Sequence, residues 1–344
     1  MSAAKHALAI QRTGLVTSVG LNAPAACAAI RVKVSNPTPT RFMEPGRTWM
    51  TACQVPMDPP LQGVHKLVKM AAMAAQECLV DVPRSAWAKL PVLLCVAERD
   101  RPGRLPALDA TLLRELEQAL GATFAKESVV IEHGRVGVAV ALDHARKLVH
   151  QQGLPQVLIV GTDSLVSAST LSAYQQATRL RNARNSNGFM PGEAAGALLV
   201  GAPQSAQDLL CAGIGFGMEA AHIESELPLR ADGLRQAISQ ALTGAGVTID
   251  QCPIRLSDLS GEHYYFKEAA LALARLQRSG SGEEADLWHP AECIGECGAA
   301  SGLTLIGVAA AAFKKGYMPG MHALAHMSND NGARAAVLLH QRRS

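Results

Sequence analysis

The chain repeats one rhythm. Short apolar runs alternate with segments whose apolar residues recur at three- and four-residue spacing, and the alternation begins again past the middle. In the first series, strands are expected over Leu8–Val16, Pro91–Ala97, Ser128–Ile131, Gln156–Asp163 and Ala195–Gly201, and helices over Pro24–Val32, His65–Val82, Leu108–Leu120 and Val136–His150. After a loop at Ala202–Gln207 come strands at Leu209–Phe216, Ile254–Leu259, Ala285–His289, Ala323–Met327 and Arg334–Leu339, with helices at Ala231–Leu242, Lys267–Arg278 and Gly302–Lys315. Strands separated by helices imply a mostly parallel sheet covered on both faces. Five strands in each series imply a duplicated α/β unit, with halves at 1–204 and 205–344.

Composition narrows the function classes. At 344 residues and 48% hydrophobic, the chain can bury a large core. Its net charge of +3, from 32 basic and 29 acidic residues without a long like-charge run, argues against nucleic acid or an anionic membrane as partner. Acidic carrier domains remain compatible. Met1–Ala9 lacks an adequate apolar region for export and no later run has membrane-spanning character, so a cytoplasmic location is expected. The eight cysteines have no scaffold spacing and are read as reduced, mostly buried thiols. No cofactor is expected, because neither a phosphate-binding Gly-rich loop nor a nicotinamide signature is present. Glu292-Cys293 and Glu296-Cys297 have no second ligand pair nearby, so no metal is expected either. Pro-rich stretches at Pro37–Pro45 and Pro56–Pro60 read as connectors. Arg179, Arg181 and Arg184, followed by Asn185-Ser186-Asn187-Gly188, read as a solvated loop, with a phosphate or carrier contact as the alternative.

Three segments carry a likeness. Gly188-Phe189-Met190-Pro191-Gly192-Glu193-Ala194-Ala195-Gly196-Ala197-Leu198-Leu199 resembles the GFVxGEGAGxxxL signature of β-ketoacyl-acyl-carrier-protein synthases, the condensing branch of the thiolase superfamily. Thr13–Gly20 is similar to the family's TGxGxVTPxG start, and Ile294-Gly295 with Ala299–Gly302 is similar to its IGHxxxAAG stretch. The resemblance implies a thiolase-like α/β fold: duplicated five-stranded mixed-sheet halves in a five-layered αβαβα arrangement. In that family a Cys at a helix N-terminus attacks an acyl thioester, and two His residues support condensation. A helix N-terminus favours a thiolate, and an imidazole can donate to a developing oxyanion.

This sequence departs from the family at each of those positions. The nucleophile motif aligns on His133–Ala139, which puts Arg135 in the place of the Cys. A guanidinium stays protonated and cannot form an acyl-enzyme. The first His falls on Leu259, or on Ser260 with a one-residue slip, and the second on Glu296, with Ala291 in the place of the motif's Lys. The terminal NSFGFGG loop becomes His326–Gly332. A buried Arg135 needs a counter-charge, and Glu296 is the expected partner, joined by His133 or Glu132. Other candidates for the cavity are His133, Phe189, His263, Cys297 and His326. Phe189, with Gly192 and Gly196, reads mainly as a device for close strand approach. The two His near loops and helix starts, His133 and His326, also read as satisfied polar residues, Cys297 as a packed thiol, and Glu262-His263 as a helix cap or surface pair.

The resemblance therefore leads to a non-condensing pseudoenzyme that acts as a binding or scaffold subunit. The alternative is an acyltransferase of the 3-oxoacyl-carrier-protein synthase type with a new constellation drawn from His133, Glu296, Cys297 and His263. Family dimers pair a central edge strand, which here implies a homodimer through Ser128–Ile131. An acyl-carrier protein, an active synthase subunit, as for chain-length-factor subunits that also lack the Cys, and a secretion-assembly protein are the other partners considered.

Overall fold

The computed structural model describes residues 6–44, 46–277 and 285–342. The chain runs β1 (Leu8–Thr17), α1 (Ala23–Arg31), β2 (Thr38–Met43), β3 (Trp49–Ala52), α2 (Gly63–Leu79), β4 (Val92–Cys95), α3 (Leu108–Leu120), β5 (Val129–Ile131), α4 (Gly137–His150), β6 (Gln156–Ser164), α5 (Ala168–Gln176) and β7 (Glu193–Gly201). It continues with β8 (Leu210–Met218), α6 (Asp232–Ala245), β9 (Ile254–Ser257), α7 (His263–Ala274), β10 (Asp286–Trp288), α8 (Ala291–Ile294), α9 (Ser301–Lys314), β11 (His322–Ser328) and β12 (Ala333–His340).

The strand order is β10-β9-β11-β12-β8-β1-β7-β6-β4-β5, a palindrome in which each half repeats the other's connectivity. The halves meet where β1 pairs with β8 through Leu8↔Cys211 and Ala9↔Leu210. Pairings in the outer part of each half are parallel, whereas those of β6 with β7, β1 with β7, β11 with β12 and β12 with β8 are antiparallel. The sheet is thus mixed, and the mostly parallel reading is corrected. Unbroken apolar runs such as β7, buried along its whole length, look parallel in sequence because both faces are covered.

The layers follow from side-chain alternation. In β12, Val337 and Leu339 join a central core with α1, α4 and α9, while Ala336 and Leu338 join an outer core with α6 and α7. In the first half, Leu93 and Ile159 face the central helices, and Leu94 and Val160 face α2 and α3. The resulting order is helices, sheet, α4 and α9, sheet, helices: five layers. No helix among the described residues is long and apolar enough to cross a membrane.

Some expectations need adjustment. The Pro37–Pro45 connector contains β2, which pairs with β3 in a small separate hairpin. A helix, α5, occupies a stretch given no element. The helix expected from Lys267 starts at His263, because Tyr265, Ala269, Ala272 and Leu273 already form its buried face; its expected last residue, Arg278, lies outside the described residues.

The two central helices begin alike. A one-turn 3-10 segment, Gly134–Val136, leads into α4, and another, Gly298–Ala300, leads into α9; each opens on a glycine with positive φ (49° at Gly134, 50° at Gly298). A Cβ at Gly134 would lie 2.0 Å from the Glu98 carboxylate, and one at Gly298 would lie 2.1 Å from that of Asp163. Only glycine serves at both. These matched turns bring Arg135 and Glu296 to the centre of the molecule.

Candidate functional site

At that centre lies a buried network of charges. The Arg135 guanidinium is 3.4 Å from Glu296 Oε2, so the expected pair forms. Its Nη2 also donates to Asp330 and to the Tyr265 hydroxyl, the latter at 3.0 Å, and its Nε lies 3.9 Å from Asp258. Glu132, expected to join the pair, instead binds Arg99, near the surface.

Asp330 is the hub. Besides Arg135 it accepts from Arg179 at 2.7 Å, from the Tyr174 hydroxyl at 3.2 Å and from the Tyr265 hydroxyl. Arg179 also makes a bidentate pair with Glu262 at 2.7 and 2.8 Å, the strong geometry for a guanidinium and a carboxylate. Beside this set, Arg101 donates to Asp163 at 2.6 Å, and Asp163 accepts from the Ala299 amide at 2.9 Å. Glu296 accepts from the Gly298 amide at 2.9 Å, which places its charge at the turn that starts α9.

Three guanidiniums, Arg101, Arg135 and Arg179, thus face six carboxyls: Glu98, Asp163, Asp258, Glu262, Glu296 and Asp330. Such an excess cannot remain fully ionised out of water. Burial raises Glu98, and it raises Asp258 to about 7, aided by Glu296 and opposed by Arg135. For Asp330, burial acts upward, but Arg135, Arg179 and the Tyr265 hydroxyl hold it well below the ordinary carboxylate range. Arg135 itself is held well above its ordinary value: burial acts downward, and Tyr265, Glu296, Asp330 and Asp258 more than offset it.

A pH dependence follows. Asp258 titrates near 7 in the fold against an ordinary 3.8, so its contribution to stability is whole below pH 3.8 and is lost as pH rises toward 7. Asp330 acts oppositely: its contribution is present above its ordinary 3.8 and is lost only in stronger acid. Asp258→Asn should therefore flatten the decline of stability between pH 5 and about pH 7, a change of about 2 kcal/mol across the window, read from urea unfolding at several pH values. An unchanged slope would refute the assignment.

The space left among these side chains is about 20 Å³, lined by Arg135, Arg179, Tyr174, Phe189, Glu262 and Glu296 among others. That is room for one water. Pockets that hold organic ligands run to about 300–1,000 Å³.

Of the residues singled out in the sequence, Arg135, Glu296 and Phe189 meet here. Phe189 is buried edge-on against Tyr174, with ring centroids 5.0 Å apart. The glycines beside it admit helices rather than strands: a Cβ at Gly196 would lie 2.6 Å from Leu303 Cβ of α9, and one at Gly192 would lie 2.3 Å from the Ile294 carbonyl oxygen of α8. The other candidates are elsewhere. Leu259 is packed in the outer core against α6 and α7. His133 is exposed and faces a surface groove beside β5, with Asn329 donating to its carbonyl oxygen. His263 is exposed at the start of α7. His326 is buried in β11, 3.3 Å from the Ser257 hydroxyl, and burial together with Arg255 pushes its imidazole down to about 4. Cys297 donates to the Ile294 and Gly295 carbonyls and is raised well above the ordinary thiol value by burial. The cavity expectation is thus corrected for His133, His263, Cys297 and His326: strand alternation and the tight turns aim them away.

The largest omission was Arg179. Its loop reads as solvated, yet its guanidinium is buried in the network and only Arg181 and Arg184 are exposed. Glu262 does stand at the N-cap position of α7, but its side chain makes no cap hydrogen bond and is buried rather than at the surface; its carboxylate is the partner of Arg179. Asp330 and Tyr265 were missed for the same reason: nothing local marks a polar residue whose partners lie far along the chain.

The chain has the α/β fold of thiolase-like ketosynthases. It is similar to a chain of a ketosynthase in complex with its chain length factor from Xenorhabdus doucetiae, with TM-score 0.77 and 12% identity over 97% of this chain and 98% of that one. It is similar to a chain of a type II polyketide synthase acyl-carrier protein complex with its hexaketide-bound ketosynthase, with TM-score 0.81, 15% identity and coverage of 97% and 99%. The ishigamide ketosynthase/chain length factor gives 0.76, 17%, 98% and 99%. No family model and no curated protein matches the sequence.

Proposed function

We propose that this chain is a non-condensing ketosynthase-like subunit that works by binding. Its two halves, 1–204 and 205–344, would serve as one scaffold. The observation that carries this reading is the Arg135–Asp330–Arg179 network, which occupies the start of the central helix α4 and leaves only about 20 Å³ free. A permanent cation replaces an ionisable nucleophile where the motif likeness puts the family's Cys. Support also comes from the thiols: all eight cysteines are buried, and burial raises Cys53 to about 11 and Cys95 to about 12, so none is poised as a thiolate.

For partners, the outermost strand β5 has only β4 beside it among the described residues, which leaves an edge open for pairing. In this reading β5 pairs with a second copy or with an active synthase subunit. Two similar solved structures are of ketosynthases together with chain length factors, which favours the synthase pairing as the heteromeric case. Incubation with acyl-coenzyme A and with an acyl-loaded carrier protein should leave the intact mass unchanged, and native protein should show fewer than about one reactive thiol, against eight after unfolding. Light scattering should return twice the chain mass of 36.2 kDa. A stoichiometric acyl adduct on any residue would restore the acyltransferase reading.

A further inference from the structure

A second cavity, sharing no lining residue with the charged centre, opens between the C-terminal end of α1, β10 and α8, and the end of α9. Its volume is about 440 Å³, within the range of small-molecule sites. Ile30 and Val308 supply apolar wall, Trp288 and Tyr317 supply aromatic faces 6.2 Å apart, and Arg31 stands at the rim.

The Arg31 guanidinium lies over the Tyr317 ring, 3.9 Å from its centroid. Stacking holds a planar cation by its face and leaves its N–H groups, which lie in the plane, free to donate. Among the described residues, no carboxylate is within ion-pair reach of Arg31, whereas its neighbour Lys33 is occupied by Glu292 at 3.5 Å. The position suits it as well, since a cation in the last turn of α1 opposes the negative end of the helix dipole. Asp286 and Glu292 also border the cavity; Glu292 is paired with Lys33, whereas Asp286 works against an anion, so the ligand must gain more from Arg31 and the aromatic faces than it loses there.

The geometry points to a binding site for a small organic anion with a flat apolar body, its carboxylate or phosphate on Arg31 and its body against Trp288. A cationic ligand is disfavoured, because the Tyr317 face already carries a cation.

Titration of the full chain with three shaped probes tests this: 1-naphthoate, neutral 1-naphthamide and 1-naphthylmethylammonium, followed by calorimetry and tryptophan fluorescence. Naphthoate should bind one per chain, about tenfold or more tighter than the amide, as expected for a charge-assisted hydrogen bond. Arg31→Gln should remove that preference while leaving amide binding unchanged, which separates loss of recognition from loss of fold. Trp288→Leu should weaken both probes, and Asp286→Asn should tighten naphthoate. No saturable binding, equal affinity for anion and amide, or preference for the ammonium probe would each overturn the assignment.

Discussion

Asp330→Ala is expected to cost the protein about 3–5 kcal/mol, since it strips the shared acceptor from two buried guanidiniums at once. Arg179 keeps Glu262, but Arg135 is left with the Tyr265 hydroxyl at 3.0 Å, Glu296 at 3.4 Å and the more distant Asp258, and the Tyr174 and Tyr265 hydroxyls lose their carboxylate acceptor. The loss should appear as a lower urea midpoint with an unchanged slope. Asp330→Asn, which keeps one acceptor oxygen without the charge, should fall between wild type and Ala. A loss below about 1 kcal/mol for Asp330→Ala would show that the network is solvated and that Arg135 does not depend on it.

Arg135→Leu is expected to destabilise by about 2–4 kcal/mol at pH 8 and by clearly less at pH 5.5. The sign follows from the carboxyls left behind. Without the guanidinium, Asp258, already titrating near 7, loses the cation that lowers it, and Glu296 loses its partner. Protonation of Asp258 at lower pH relieves its share of the loss. Adding Glu296→Leu to Arg135→Leu should recover part of the loss, because a well-packed apolar pair often replaces a buried ion pair without net cost. Equal losses at both pH values, with no recovery in the double variant, would mean that packing of the Arg stem, not its charge, carries the effect.

The legibility of the site divides along the chain. Arg135 and Glu296 could be paired beforehand because each precedes a helix whose family motif is recognisable, and the matched turns at Gly134 and Gly298 set them 3.4 Å apart. Cys297 and His326 looked equally eligible in sequence, but one thiol is bound by carbonyls of its own turn and the other ring points into the strand layer beside Ser257. A residue one position away on a strand or a tight turn faces a different layer. The strands of the parallel and antiparallel pairings share one composition, so the direction of pairing was also hidden in the runs themselves.

Periodicity alone specified the doubled α/β order and the faces that must be buried, since a 2.0- or 3.6-residue repeat of apolar side chains needs no distant information. The motif likeness, from residue type alone, gave the expectation of a cation, Arg135, where the family carries a thiol. The identity of that cation's partners came only with the folded chain. Asp330 follows Arg135 by 195 residues and Arg179 by 151, and electrostatic compensation at such separations is set by which turns the sheets bring together, not by any local pattern.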